Sequence, residues 1–241
     1  PWSTNFDLYE VGIDGSGLRN LTEDNPAWDT QPVFSRDGSQ LAWRAMTRPG
    51  FEADRFHIML MDMKSGKRRA LTQDWDRSVD ALAFSRDGRT LYATTDHFGQ
   101  HPLWAVDVKS GKPTMLTGPG RIEAFSVGDR EIVMTTSSLK SPAELQALTI
   151  KGSDLRALPR MNEAALAELK FGEPEQFTFA GADGATVYGY VMKPADFKPG
   201  TKYPVAFIIH GGPQSSFANA WSYRWNPQTY AGAGYASVFI D

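Results

Sequence analysis

Cysteine is missing from this 241-residue chain, which excludes disulfides, thiolate metal sites and a cysteine nucleophile. The absence fits a reducing or an oxidising compartment equally well. Long hydrophobic runs are missing too, so no segment reads as a membrane-spanning helix. Charge of one sign is scarce: 28 acidic and 25 basic residues are mixed along the chain and leave a net charge of -3. No basic stripe is left to neutralise a phosphate backbone, and nucleic acid is not an expected partner. Only four histidines occur. Three of them, His57, His97 and His101, lack the spacing to helical carboxylates that a metal site needs, so no metal or other cofactor is expected. The N-terminus has neither an initiator Met nor a charged-then-apolar leader, which implies a processed form or a piece of a longer chain.

What is present is enough apolar material for a sizeable core: 41% hydrophobic and 12% aromatic residues, seven of them Trp. It is organised by a repeat. "VFSRDGSQLAW" from Val33 recurs as "AFSRDGRTLYA" from Ala83, and "MDMKSGKRRALT" from Met61 returns as "VDVKSGKPTMLT" from Val106, giving a period of 45 to 50 residues. In the best-preserved copy, strands are expected over 33–35, 40–45, 56–62 and 68–71. Asp37-Gly38 and Ser65-Gly66 mark hairpin turns, where glycine supplies the positive φ. Four short strands per repeat of this length predict a β-propeller. Three blades are expected, with the outer strands of one more before them; the last copy, from Arg121, loses its Asp-Gly turn.

The repeated Ser-Arg-Asp-Gly and Lys-Ser-Gly-Lys phrases read as turns rather than ligands. The opposite ends of the blades carry longer connections, "TRPGFEADR" over 47–55 and "TDHFGQH" over 95–101. With the inter-blade segments they predict a rim that is acidic and aromatic.

Residues 1–160 are therefore expected to form propeller blades, 161–172 a linker helix with Asn162 as its N-cap, and 173–241 the start of a second domain. A hairpin over 177–192 comes first. A strand over 203–210 follows, apolar on both faces, as in a sheet covered by helices. Asn226 and Pro227 then open a helix that Gly232 or Gly234 ends, and 236–240 begins another strand. An antiparallel pair followed by strand, helix and strand is the opening of an α/β-hydrolase fold. There the loop "HGGP", with Gly211 and Gly212, stands where backbone N–H groups bind the oxyanion of a tetrahedral intermediate. His210 reads as a packing and hydrogen-bonding residue of that loop. No G-x-S-x-G occurs, so the serine and the rest of the triad are expected beyond Asp241, and the chain alone is expected to be inactive.

"WSTNFDLYEV", "MTRPGFEADRFHIML", "WDRSV", "SSLKSPAEL" and "HGGPQSSFANAWSYRWNPQTYAGAGYASVFID" resemble the prolyl oligopeptidase family of serine peptidases, and within it the dipeptidyl peptidase V branch. The resemblance covers nearly all of the chain. It implies release of dipeptides from free N-termini by acyl transfer to a serine, with the propeller restricting entry to short peptides. It also implies that Gly212 gives an oxyanion N–H, and that a propeller carboxylate holds the substrate's ammonium group. Glu52, Asp54 and Asp96 are the candidates; the competing reading has Glu52 and Asp54 pairing with Arg48 or Arg55 inside their own loop. An acylaminoacyl peptidase or esterase of the same fold, and a propeller that only docks a protein partner, are the alternatives. The expected partners are a peptide substrate and the remainder of the same polypeptide, with a homodimer left open. Export to the periplasm or outside the cell is the location implied by the resemblance.

Overall fold

The computed structural model describes residues 3–212 and 215–240. It is built mostly of short strands and divides into two compact units. The first unit comprises Pro1–Thr95, Leu103–Leu116 and Val127–Asp129. It opens with the two-stranded pair β1 (Tyr9–Glu10) and β2 (Arg19–Asn20). Two four-stranded antiparallel meanders follow in chain order. One is β3 (Asp29–Phe34), β4 (Gln40–Ala45), β5 (His57–Asp62) and β6 (Arg68–Ala70); the other is β7 (Val79–Phe84), β8 (Thr90–Thr95), β9 (Leu103–Asp107) and β10 (Pro113–Met115).

The repeat in sequence is a repeat in hydrogen bonding. In both meanders the first turn is tied by an aspartate that accepts from the preceding serine hydroxyl: Ser35 to Asp37 and Ser85 to Asp87, each at 2.7 Å. The third turn is tied likewise by Asp62 and Asp107, which accept the backbone N–H of Ser65 and Ser110, again at 2.7 Å. These carboxylates are held below their ordinary range by the serine donors, Asp37 at about 2. In each of them Oδ1 is taken up by the turn. Between the meanders the inward faces interdigitate: Ala42, Ile58 and Leu60 from the first pack with Leu82, Leu91, Ala93 and Val106 from the second. Each fully buried Leu, Ile or Val among them stabilises the fold by about 1.5–3 kcal/mol. A smaller cluster seats Leu8 against Leu41, Trp43 and Met61.

The second unit comprises Asp96–Pro102, Thr117–Ser126 and Arg130–Asp241. It holds a further antiparallel meander, β11 (Arg121–Val127), β12 (Glu131–Ser138), β13 (Ser141–Thr149) and β14 (Arg156–Ala157). The short helix α1 (Glu163–Ala167) follows, then β15 (Pro174–Ala180), β16 (Thr186–Met192), β17 (Val205–Ile208), α2 (Pro227–Gly232) and β18 (Ala236–Ile240). These last strands form one mixed sheet in the order β15-β16-β18-β17, in which only β17 and β18 run parallel. The compact units thus do not part at residue 160. The meander β11–β14 goes with the C-terminal sheet because the tip of its central hairpin buries Leu139 among Tyr190, Met192, Ala231 and Phe239.

Two local expectations need correction. Asn162 makes no side-chain cap on α1. Glu144 takes that place, its carboxylate accepting the backbone N–H groups of Met161 and Asn162, both at 2.9 Å, and the Asn162 amide as well. The strand expected to be buried on both faces lies at the sheet edge, and Val205, Phe207 and Ile209 are 62%, 57% and 78% exposed. Asn226, in contrast, caps α2 as expected, accepting the N–H of Gln228 at 3.0 Å with Pro227 in the first turn.

One buried carboxylate makes stability depend on pH. Asp29 is 2% exposed and accepts from Trp43 Nε1 at 2.6 Å and Asn25 Nδ2 at 2.8 Å. Burial raises it to about 6 against those two donors, with Asp7 and Asp24 adding repulsion. A carboxyl raised on folding favours the folded state at low pH, and that contribution is lost as pH rises from about 4 through 6. Asp29→Asn cannot ionise, so its stability relative to the wild-type chain should climb between pH 4.5 and 7.5, by about 1.4 kcal/mol per unit of pKa difference. Urea unfolding at the two pH values measures this; an unchanged gap contradicts it.

Candidate functional site

The glycine loop leaves the C-terminal end of β17, the position where open α/β sheets bind ligands. Gly211 and Gly212 are both exposed. Gly212 has φ 141°, outside the range that a residue with a side chain adopts readily, whereas Gly211 does not have a positive φ. Pro213 and Gln214 lie outside the described residues. The loop is anchored from its own end: His210 Nδ1–H donates to the Gly211 carbonyl at 2.8 Å, which leaves the proton on that nitrogen. The His210 ring meets Phe217 edge-on at 5.5 Å, Phe217 meets Phe239 at 5.6 Å, and Phe239 stacks on Tyr190 at 5.4 Å. A row of rings therefore runs from the loop into the buried cluster beneath it.

The three candidate carboxylates meet different fates. Asp54 is spent within its own loop. Its side chain is 8% exposed; it accepts the backbone N–H groups of Thr47 and Arg48, each at 2.8 Å, and pairs with Arg48 Nε at 3.1 Å. Burial pushes its carboxyl up, but the N–H donors of Thr47, Arg48 and Arg55 and the Arg48 guanidinium outweigh that and hold it at about 2. Of the two arginines weighed from sequence, Arg48 is the partner, while Arg55 donates to the carbonyls of Gln73 and Trp75. Asp96 belongs to the second unit rather than the first, and binds Nδ1 of the buried His101 at 2.7 Å. Glu52 stands exposed on the same loop as Asp54.

In the first unit Phe6 lies tilted against Trp28 at 4.8 Å, and Trp28 meets Phe56 edge-on at 5.6 Å. The Arg44 guanidinium lies 4.6 Å over Phe56, donates to the Val79 carbonyl at 2.8 Å and faces Asp80 at 3.3 Å; Arg48 lies 4.0 Å over Phe51. Sequence reasoning missed Arg44 because it sits within a strand; an arginine at a position where the neighbouring repeat has Thr94 was the available signal. A cleft of about 670 Å³ in the second unit is lined by Arg121, Ser137, Gln146, Arg160 and Leu166, and shares no residue with the glycine loop. Among the described residues, no group of three or more His, Asp or Glu side chains is arranged to hold a metal ion.

Comparison with known proteins agrees over nearly the whole chain. The dipeptidyl-peptidase 5 of Porphyromonas gingivalis is 30% identical over 237 residues, 98% of this chain and 35% of that protein. The dipeptidyl-peptidase 5 of Trichophyton schoenleinii is 35% identical over 217 residues, covering 87% and 30%. The chain spans about a third of the length of the curated relatives it matches. Among solved structures, an acylaminoacyl peptidase of Pyrococcus horikoshii superposes with a TM-score of 0.80 at 23% identity, over 98% of this chain and 35% of its own, a likeness of fold. No protein-family model matches.

The Asp54 ties predict how loop 47–55 responds to acid. A depressed carboxyl contributes its stabilisation above its unfolded range near 4, and that contribution is lost as pH falls through about 2. Thr47 and Arg48 amides should keep their protection from hydrogen exchange at pH 4. In Asp54→Ala they should exchange at least roughly tenfold faster at the same pH, since their acceptor is gone. Equal exchange in the two proteins contradicts this role.

Proposed function

We propose that this chain, a homologue of the dipeptidyl-peptidase 5 proteins across about a third of their length, is the stretch of a serine exopeptidase in which a propeller passes into an α/β-hydrolase domain. The complete protein would release dipeptides from free N-termini of short peptides. The reading is carried by the position of Gly211-Gly212. They follow the parallel strand β17, in a sheet whose antiparallel pair feeds a strand, helix and strand unit, the opening expected of that fold. The peptide carbonyl would lie with its oxygen toward the Gly212 N–H. A serine supplied by the rest of the polypeptide would attack, and the N–H dipole would stabilise the charge that develops. The same remainder would cover the apolar strip of Val205 and Phe207 on β17 and Ile209 just after it.

An exopeptidase that removes two residues also has to fix the substrate ammonium group. Glu52, exposed on loop 47–55, is the carboxylate we assign to that contact. A second reading has a specific observation in its favour: Asp54 and Asp96 are bound within the chain, and a peptidase acting on blocked N-termini needs no counter-charge.

A kinetic comparison separates the two. With the complete protein, a free dipeptidyl reporter should be cleaved far faster than its N-acetylated form. Glu52→Gln should raise KM for the free substrate by roughly tenfold or more, the size of a lost charge-assisted contact, with kcat little changed. Preference for the acetylated reporter, with KM indifferent to Glu52→Gln, supports the blocked-peptide reading instead.

A further inference from the structure

Seven residues after Gly212 stands Asn219, a residue that sequence reasoning passed over. It is fixed at both its backbone and its side chain. Its backbone N–H donates to the Gly99 carbonyl at 2.7 Å, and its side-chain Oδ1 accepts the Leu139 N–H at 2.9 Å. The two partners come from distant parts of the chain, the segment Asp96–Pro102 and the tip between β12 and β13, and both belong to the second unit.

Each partner is itself held. The Gly99 carbonyl also accepts from Tyr190 Oη at 3.0 Å, and Gln100 Nε2 donates to Tyr190 Oη at 2.5 Å. Gly99 has φ 73°, and a Cβ there would come within 2.7 Å of Gln176 Nε2 and 3.0 Å of the Tyr190 ring, so only glycine brings that carbonyl so close. The Leu139 carbonyl accepts from the buried Gln228 Nε2 at 3.1 Å, and the Leu139 side chain is 2% exposed.

Immediately before Asn219, Ala218 is fully buried with φ 47°. A left-handed backbone at a residue with a side chain is maintained only when its surroundings fix it, and such strain gathers at functional sites. One residue earlier still, Phe217 touches the His210 ring that is hydrogen-bonded to Gly211. We infer that Asn219 is a positioning residue for the oxyanion loop: by pinning the strained turn at Ala218 it sets Phe217 against His210, and so the direction in which Gly211 and Gly212 present their backbone. This rests on the peptidase reading given above.

A residue that only stabilises the fold would change melting temperature and leave the chemical step alone. A positioning residue acts where the transition state is bound. In the complete protein, Asn219→Leu removes the acceptor for Leu139 at similar volume; kcat should fall at least tenfold while KM moves less than twofold. The inhibition constant of a peptide boronate, which mimics the tetrahedral intermediate, should rise by a similar factor. Asn219→Asp keeps the acceptor oxygen and should recover at least a third of kcat. Should the leucine variant fail to fold, Asn219→Ser, whose hydroxyl is too short to reach Leu139, carries the same comparison. An active wild-type enzyme with kcat unaffected in these variants, or with equal losses for Asp and Leu, overturns the inference alone. A wild-type protein inert toward free and blocked reporters overturns the peptidase reading and this inference with it.

Discussion

Much of the second unit depends on one hairpin tip. Leu139 lies between two strands of an antiparallel meander, yet its side chain is buried among residues of β16, α2 and β18. Its N–H is taken by Asn219 and its carbonyl by Gln228. Gln228 in turn receives the Gly172 N–H at 2.8 Å and donates to the Gly172 carbonyl at 3.1 Å, so the chain leaving α1 is locked to α2 by the same amide. A buried amide with all these partners satisfied stabilises its surroundings, and losing any one leaves a costly unpaired group. The glycine loop is held at the edge of this knot, by its own His210 to Gly211 bond and by the contact of the His210 ring with Phe217.

The first unit follows a different logic. Its elements are repeated, and the same serine and aspartate pairs close the same turns in successive meanders. Where the third copy lacks the Asp-Gly turn, Asp129 is instead paired with Arg86 and, at 3.7 Å, with Arg36, one arginine from each of the earlier turns. Exposed pairs of this kind contribute little to stability individually. Their regularity is the signature of a repeated scaffold.

This contrast explains what could be read from sequence. Local periodicity and turn chemistry announced the meanders, the hairpin at β15 and β16, the capped helix α2 and the glycines after β17, because each depends on residues close together in the chain. Glu144 capping α1 from 18 residues away, Arg44 over Phe56, and the ties of Asn219 to Gly99 and Leu139 were not legible, because their partners are brought together only by the fold. Candidate carboxylates suffered in the same way. "FEADR" shows two acids, but only geometry shows that Asp54 is occupied by the Thr47 and Arg48 amides. The exposed strip on β17 misled for a related reason: an apolar strand says it is to be covered, and not by which part of the polypeptide.

The central claim is that the loop carrying Gly211 and Gly212 is the oxyanion site of a peptidase. A crystal structure of the complete protein with a covalently bound peptide boronate tests it most directly. The account predicts a boronate oxygen about 3 Å from the Gly212 backbone nitrogen, as an oxyanion donor requires. A boronate seated elsewhere, with that N–H turned away from it, would contradict the account.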